Sequence, residues 1–155
     1  MKLSIVAVGT KMPGWVEDGC NEYQKRLPRE WKCRVIEIPV AKRGKASSIE
    51  QLKRQEGDQM LANISASSHV VALDVGGKKL STPALSERLA QWQMLGKDLL
   101  ILIGGPDGLA PTCMDRADEK ISLSELTLPH PLVRIVLNEQ LYRAWTILQN
   151  HPYHK

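Results

Sequence analysis

The stretch Leu99-Leu100-Ile101-Leu102-Ile103 is a continuous apolar run that follows Asp98 and leads directly into Gly104-Gly105-Pro106-Asp107-Gly108. A short apolar run without polar alternation is typical of a strand that is buried on both faces of a sheet. The glycines and the proline end such a strand in a turn. We therefore predict a buried strand over Asp98–Ile103, inside a sheet that is covered on both sides.

Three similar runs predict further strands, at Leu3–Val8, Cys33–Ile38 and His69–Asp74. Helical spacing of apolar residues lies between them, most clearly over Ser48–Ala66. A second helix is predicted over Pro83–Leu95, with Thr82 as its N-cap and Gly96 at its end. Alternating strands and helices predict the α/β class, a mostly parallel sheet with helices on both faces. We expect one domain that spans residues 1–155.

The last third of the chain departs from this alternation. Ile121–Leu128 is a short extended stretch, and Pro129-His130-Pro131 is stiff. The long helix that follows, Leu132–Gln149, is unusually apolar for a surface helix. Either it is a central core helix, or a second subunit covers one of its faces.

The composition allows a self-sufficient core and excludes several classes. The chain has 155 residues, of which 43% are hydrophobic and 25% charged, as in ordinary globular proteins. Its net charge of +4 gives only modest attraction to phosphate. Three widely spaced cysteines, Cys20, Cys33 and Cys113, suggest neither a disulfide framework nor a zinc site. No secretion signal and no apolar segment of about 18 residues is found. We expect a cytoplasmic protein without metal or membrane contact.

Three segments are candidates for a ligand site. Gly104-Gly105 and the turn Asp74-Val75-Gly76-Gly77 each follow a predicted strand, so both lie at the carboxyl edge of a parallel sheet, where α/β proteins bind ligands. The third segment, Leu123–Leu128 with the prolines after it, is too irregular for a helix or strand, and its backbone polar groups are available to a ligand. Each segment taken alone is also compatible with a plain turn or connection.

Two basic clusters could contact RNA phosphates. One is Lys42-Arg43-Gly44-Lys45, and the other is the terminus His151-Pro152-Tyr153-His154-Lys155, which follows Arg143. Tyr153 adds a ring that could stack on an unpaired base. Charge clusters are also common on solvated faces, and chain termini are often frayed.

Several motifs together resemble a known family. They are Val6-Ala7-Val8-Gly9-Thr10-Lys11-Met12-Pro13, Leu102-Ile103-Gly104-Gly105-Pro106, Leu126-Thr127-Leu128-Pro129-His130-Pro131-Leu132-Val133-Arg134, Leu141-Tyr142-Arg143-Ala144-Trp145 and Asn150-His151-Pro152-Tyr153-His154. From end to end the chain resembles the SPOUT-class methyltransferases that act on N3 of a pseudouridine in bacterial large-subunit (23S) ribosomal RNA. The resemblance implies S-adenosylmethionine as cofactor, a homodimer, a C-terminal trefoil knot and the assembled ribosome as substrate. Sequence physics alone predicts an ordinary doubly wound sheet without a knot.

The resemblance also implies site residues. The cofactor pocket would involve Leu73, Gly104, Gly105, Leu123, Ser124, Glu125, Leu126, Thr127 and Leu128. The two basic clusters, and not the resemblance, supply the candidate RNA contacts Lys42, Arg43, Lys45, Arg143 and Lys155. Lys155 stands where we expect many relatives to carry arginine, so a bidentate contact there would be lost but a phosphate contact kept.

Proton removal from N3 suggests the catalytic candidates. The N3 proton must leave before or during methyl transfer, and an imidazole has a suitable pKa for accepting it. We therefore consider His130 and His154, with Tyr153 orienting or stacking on the base. A structural His130, capping a helix that starts at Pro131, is the other interpretation of that residue.

Two other functions are compatible with the sequence. An RNA-binding ribosome assembly factor would use the same basic clusters but needs no ligand loops, and a flavodoxin-like enzyme would bind a flavin or nucleotide. Binding of S-adenosylmethionine distinguishes both from a methyltransferase.

Overall fold

The computed structural model describes residues 1–44 and 47–155. Within these two ranges the chain forms five strands: β1 Leu3–Val8, β2 Arg34–Ile38, β3 His69–Lys79, β4 Leu99–Ile103 and β5 Glu119–Ser122. Five α-helices accompany them: α1 Gly14–Gln24, α2 Ile49–Leu61, α3 Thr82–Met94, α4 Pro111–Arg116 and α5 His130–Leu148. Short 3₁₀ helices lie at Arg29–Trp31 and Pro152–His154.

All strands are parallel, in the order β2-β1-β4-β3-β5. The inner strands β1 and β4 are buried along their whole length, as their unbroken apolar sequences predict. One core cluster packs on α1, α3 and α5, and the other packs on α2 and α4. The predicted α/β class, with helices on both faces, is confirmed. The knot stays an expectation from the resemblance.

The third strand is longer than predicted. It continues to Lys79, and its pairing with β5 shifts so that both Leu73 and Lys78 lie opposite Ile121. The segment between them, Asp74–Gly77, is therefore a bulge within β3 and not the turn that ends it. A Cβ at Gly77 would lie 2.7 Å from the Ile121 backbone, so only glycine lets the strand return to its partner.

Two predicted helix boundaries also change. Ser81 and not Thr82 is the N-cap of α3, because the Ser81 hydroxyl accepts the Ala84 N–H. Gly96, at a φ of +68°, follows its end as expected. Helix α2 ends at Leu61 and not Ala66, where the Asn63 side-chain amide donates to the Gln59 carbonyl and the next backbone N–H groups bond three residues back.

The last helix begins at His130 and contacts both α1 and α3. Seven of its residues are buried, so within one chain it behaves as a core helix. Leu132 on α5 and Trp15 on α1 remain 40% and 54% exposed. No helix of the described residues is long and apolar enough to cross a membrane.

Candidate functional site

A cavity of about 740 Å³ opens at the carboxyl ends of the central strands. Parallel strands bring their ends to one edge, so residues far apart in sequence meet there. Its walls come from the ends of β1, β3 and β4, the loop after β5 and the first turn of α5: Val8, Gly9, Leu73, Asp74, Val75, Ile103, Gly104, Gly105, Leu123, Ser124, Leu126, Thr127, Leu128, His130, Pro131 and Val133 are among them. The size is typical of a small-molecule pocket.

Eight of the nine residues expected at the cofactor site line this cavity. The exception is Glu125, whose carboxylate points away and pairs with Lys79 at 2.6 Å, both side chains being exposed. The three ligand segments chosen from sequence therefore converge at one place. The exposed apolar tips Val75 and Leu126 form part of the cavity wall.

The loop Ser124–Leu128 leaves backbone polar groups available. The Leu126 N–H donates to the Ser124 hydroxyl at 2.9 Å, and the Ser124 carbonyl accepts the Ser122 hydroxyl at 3.1 Å. Among the described residues, this loop makes no backbone-to-backbone hydrogen bond. The remaining N–H and C=O groups of Thr127 and Leu128 can therefore bind a polar ligand edge.

A side chain at Gly104 or Gly105 would collide with atoms of the protein itself. A Cβ at Gly104 would lie 2.5 Å from the backbone of Gly108, and one at Gly105 would lie 2.9 Å from a Val8 methyl and 3.0 Å from a Glu56 carboxylate oxygen. The missing side chains thus make room for the protein's own loop and for α2. Close approach of a ligand is not what excludes a Cβ here.

Arg134 organises the floor of the site. It is 3% exposed, and its Nη1 donates to Glu37 at 2.6 Å, its Nη2 to the Gly9 carbonyl at 2.7 Å and its Nε to His130 Nε2 at 2.8 Å. One guanidinium thereby joins β2, the turn after β1 and the start of α5. Sequence reasoning gave Arg134 no role, although a charge four residues after His130 on an apolar helix was a usable signal.

His130 lies in this network as a neutral imidazole. Burial, followed by the positive charge of Arg134, lowers the pKa of His130 from its ordinary 6.5, while a hydrogen bond to the Gly104 backbone and the charge of Glu37 oppose the shift. Its Nε2 must be unprotonated to accept the Arg134 N–H. The side chain does not cap α5, whose N-cap is Pro129. Its contacts instead link Arg134 to the glycine loop.

The described part of the basic loop lies beside the cavity. Val40 lines the cavity, Arg43 pairs with Asp107 of the glycine loop at 2.5 Å, and the Ala41 N–H donates to buried Glu56 at 3.1 Å. Lys42 is exposed. Lys45 lies outside the described residues. The sequence did not single out Asp107 or Glu56, which connect this loop to the cavity.

The C-terminal segment is folded onto α5 and is not frayed. The Tyr153 ring lies 4.6 Å from the Tyr142 ring and 4.9 Å from the Arg143 guanidinium, and its hydroxyl donates to Glu139 at 3.2 Å. Burial, together with Glu139, raises the pKa of Tyr153 to about 12, so its phenol stays protonated. Arg143 is paired with the same carboxylate at 2.6 Å, and Lys155 is exposed.

His154 carries an unusual atom. Its Nδ1 is buried and has no hydrogen-bond partner among the described residues. Helix α5 has 19 residues and spans roughly 28 Å, with the cavity at its start and this segment beyond its end. A single subunit therefore brings His130 to the cavity but does not bring Tyr153 or His154 there.

The neutral His130 predicts a pH dependence of stability. Because its pKa is lower in the folded than in the unfolded chain, the unfolded state binds more protons, and the free energy of unfolding should fall as the pH drops below about 6.5. We expect His130→Gln, which keeps a donor and an acceptor, to lose less stability between pH 7.5 and 5.5 than the parent. Urea unfolding at both pH values measures this, with His151→Asn as the matched histidine control. Equal pH slopes in all three proteins would contradict a buried neutral His130.

The contacts of the glycine loop predict a loss of stability when Gly105 gains a side chain. Gly105→Val should lower the free energy of unfolding by about 1–3 kcal/mol, because the added atoms meet Val8 and Glu56. Thermal unfolding measures this, and Gly14→Val, where a Cβ meets nothing within 4 Å, is the control for added bulk. Unchanged stability of Gly105→Val would show that the loop adjusts freely.

Comparison with known proteins places this geometry in a family. A family model described as "Predicted SPOUT methyltransferase" matches residues 1–154. The chain is 59% identical over 155 residues to "Ribosomal RNA large subunit methyltransferase H" of Saccharophagus degradans, covering 100% of both chains. It is 56% identical to the protein of the same name from Hahella chejuensis, covering 100% of this chain and 99% of that one.

A solved structure supports the fold at low sequence identity. A probable methylase family protein from Haemophilus influenzae Rd KW20 superposes with a TM-score of 0.55 at 12% identity, over 99% of this chain and 70% of that chain. The full-length family match, the close relatives and the strand-end cavity agree with one another. This chain therefore belongs to the SPOUT methyltransferase family.

Proposed function

We propose that this protein transfers a methyl group from S-adenosylmethionine to N3 of a pseudouridine in bacterial large-subunit (23S) ribosomal RNA, on the assembled ribosome. The observation that carries the proposal is end-to-end identity of 56–59% to relatives named as large-subunit rRNA methyltransferases. The cavity at the carboxyl ends of the strands is where we expect the cofactor to bind. An assembly factor without chemistry would not need it.

The cavity suits S-adenosylmethionine in its chemistry. Apolar walls from Val8, Leu73 and Ile103 fit an adenine ring, and the unpaired backbone groups of Thr127 and Leu128 fit its polar edge. Asp74 places a carboxylate in the lining, which favours a ligand with a positive centre, whereas the Asp107 carboxylate is already paired with Arg43. When bound, the cofactor would supply a methyl group on a positively charged sulfur.

Methyl transfer makes two demands on the chain. A bond forms between the methyl carbon and N3 while the sulfur–methyl bond breaks, so donor and acceptor must be held at about 3–3.5 Å and in line. The N3 proton leaves to a base or to water. We assign His130 to holding the glycine loop and Arg134, because its Nε2 already accepts a hydrogen bond.

His154 is our candidate for the proton acceptor. Its Nδ1 is buried and lacks a partner among the described residues, so Nε2 is the ring nitrogen left to accept a proton from a substrate. Tyr153 would orient the base, and Arg143 and Lys155 would contact RNA together with Lys42, Arg43 and Lys45. Within its own subunit Arg143 is held by Glu139, and Tyr153 donates a hydrogen bond to the same carboxylate.

A homodimer would bring these groups to the cavity. In a two-fold dimer, a residue i of one subunit that contacts residue j of the other is matched by the reverse contact. The start of one α5 can therefore lie near the end of the other. The exposed apolar side chains of Trp15 and Leu132, on the packed helices α1 and α5, supply a surface for this contact. The active site would then combine the cavity of one subunit with the C-terminal segment of its partner.

Methylation of ribosomes tests the proposed function. Purified protein, labelled S-adenosylmethionine and ribosomes should give one labelled nucleoside, identified by mass spectrometry as N3-methylpseudouridine. Ribosomes whose target position carries uridine serve as the substrate control. No transfer to ribosomes, together with no calorimetric signal for the cofactor, would favour an RNA-binding protein without catalysis.

Truncation and mixing test the composite site. A chain ending at Asn150 should lose methylation but keep cofactor affinity, with a stability loss of about 1–2 kcal/mol, because Tyr153 packs on Tyr142.

Mixing this truncated chain with a cavity variant tests whether the site is shared. Gly105→Val should lack activity because its cavity is disturbed. An equal mixture of the two inactive proteins, after subunit exchange, should recover about a quarter of the parental sites, since half of the dimers are mixed and each has one complete site. Failure to recover, with dimers present by sedimentation, would contradict a shared site.

A further inference from the structure

A second cleft, of about 360 Å³, lies at the opposite edge of the sheet from the cavity. It is formed where β1, β2 and β4 begin, next to the turn that follows α2. Its lining is mainly polar and basic, and consists of Lys2, Ser4, Lys32, Arg34, Asn63, Ser65, Ser68, Asp98 and Leu100. None of these residues belongs to the candidate methyl-transfer site.

Three cations of this cleft lack a carboxylate partner among the described residues. Lys2, Lys32 and Arg34 form no ion pair with any residue in the ranges 1–44 and 47–155. Asp98 also lines the cleft, but its carboxylate accepts the backbone N–H of Lys2 at 3.0 Å. The cleft therefore keeps an excess of about two positive charges, a field that favours phosphate.

The sheet register holds the guanidinium of Arg34 in place. Ser4 is paired with Arg34 on one side and with Leu100 on the other, and the Ser4 hydroxyl accepts the Arg34 Nε–H at 3.2 Å. Ser4 is 8% exposed, so this anchor is fixed by the core. The two terminal nitrogens of Arg34 make no hydrogen bond within the described chain, which leaves the fork that matches a phosphate available.

The opposite wall of the cleft is the turn Ser65–Ser68, which is also held in place by hydrogen bonds. The Arg116 guanidinium donates to the carbonyls of Ser65 and Ser68, at 3.1 and 2.9 Å. The hydroxyls of these two serines lie 2.9 Å apart and face the cleft region together with Asn63. Neutral donors thus stand opposite the cations, as in many phosphate contacts of RNA-binding proteins.

The position of the cleft limits its ligand. From Lys2 to Gly9 the chain is extended, so the cleft and the cavity are separated by roughly 23 Å at 3.3 Å per residue. A nucleotide in the cavity cannot reach the cleft. Only an RNA that extends well beyond the methylated base can occupy both.

We infer that the cleft lined by Lys2, Lys32 and Arg34 is a second RNA-binding site, which takes one or two backbone phosphates of the folded ribosomal RNA away from the methylated nucleotide. The inference rests on the proposed function and adds to it a reason for preferring a large folded substrate. Phosphate contacts position the protein on its substrate without reading sequence. The cleft would therefore affect substrate affinity and leave the chemical step unchanged.

A double variant tests this inference. Lys32→Gln with Arg34→Gln should raise KM for ribosomes on the order of tenfold at 0.1 M salt, because two phosphate contacts are lost. The values of kcat and cofactor affinity should not change. The salt dependence of ribosome binding should also weaken, by about 0.7–0.9 in slope for each lost contact. The matched control is Arg54→Gln with Lys120→Gln, which removes the same charge from exposed positions outside the cleft. Lys32→Gln alone, on an exposed turn, should give an intermediate KM without the loss of the Arg34 hydrogen bond to Ser4.

Binding and cross-linking distinguish this inference from the proposed function. Co-sedimentation measures the affinity of each variant for ribosomes, whether or not methyl transfer occurs. The cleft can therefore be tested even if the proposed methyltransferase activity is absent. A photoreactive residue at position 32 should cross-link to ribosomal RNA. Equal ribosome affinity and salt slope in the cleft variant and its control would overturn the inference. It would also be overturned by cross-links only to ribosomal protein, or by tight binding of inorganic phosphate that does not compete with ribosomes.

Discussion

The buried guanidinium of Arg134 is the interaction on which the candidate site depends. Its three hydrogen bonds reach Glu37, Gly9 and His130, and through His130 they reach the backbone of Gly104. Removing Glu37 would leave the buried guanidinium without a carboxylate, which destabilises the fold because a buried charge needs a partner. The cavity is therefore held by a polar network, although its walls are largely apolar.

This network explains why histidine is suitable at the start of α5. A neutral imidazole can accept from Arg134 on one side while the ring also bonds the Gly104 backbone. Protonation would remove the acceptor and place two cations side by side. The same arrangement makes His130 a poor proton acceptor for a substrate. The imidazole of His154 is therefore the better candidate for that role.

Charge is distributed to opposite edges of one sheet. The cavity edge carries the pair Arg43–Asp107, which connects the basic loop to the glycine loop. The other edge carries Lys2, Lys32 and Arg34, which form no ion pair with the residues that the structure describes. Because parallel strands all run the same way, ligand chemistry collects at their carboxyl ends and leaves their amino ends free for another purpose. A substrate as large as a ribosome can contact both edges at once.

The sequence alone determined the α/β class, the four longest strands and the three segments that border the cavity, because apolar runs and glycine punctuation are local signals. It also carried, through its motifs, the resemblance to the family. Tertiary structure decided what depends on distant partners: the bulge of β3 against Ile121, the packing of Gly105 on Glu56, the role of Arg134 and the docking of Tyr153 on α5. Glu37 and Arg134 are 97 positions apart, and no local pattern predicts their contact. The pair forms only when the sheet and α5 pack together.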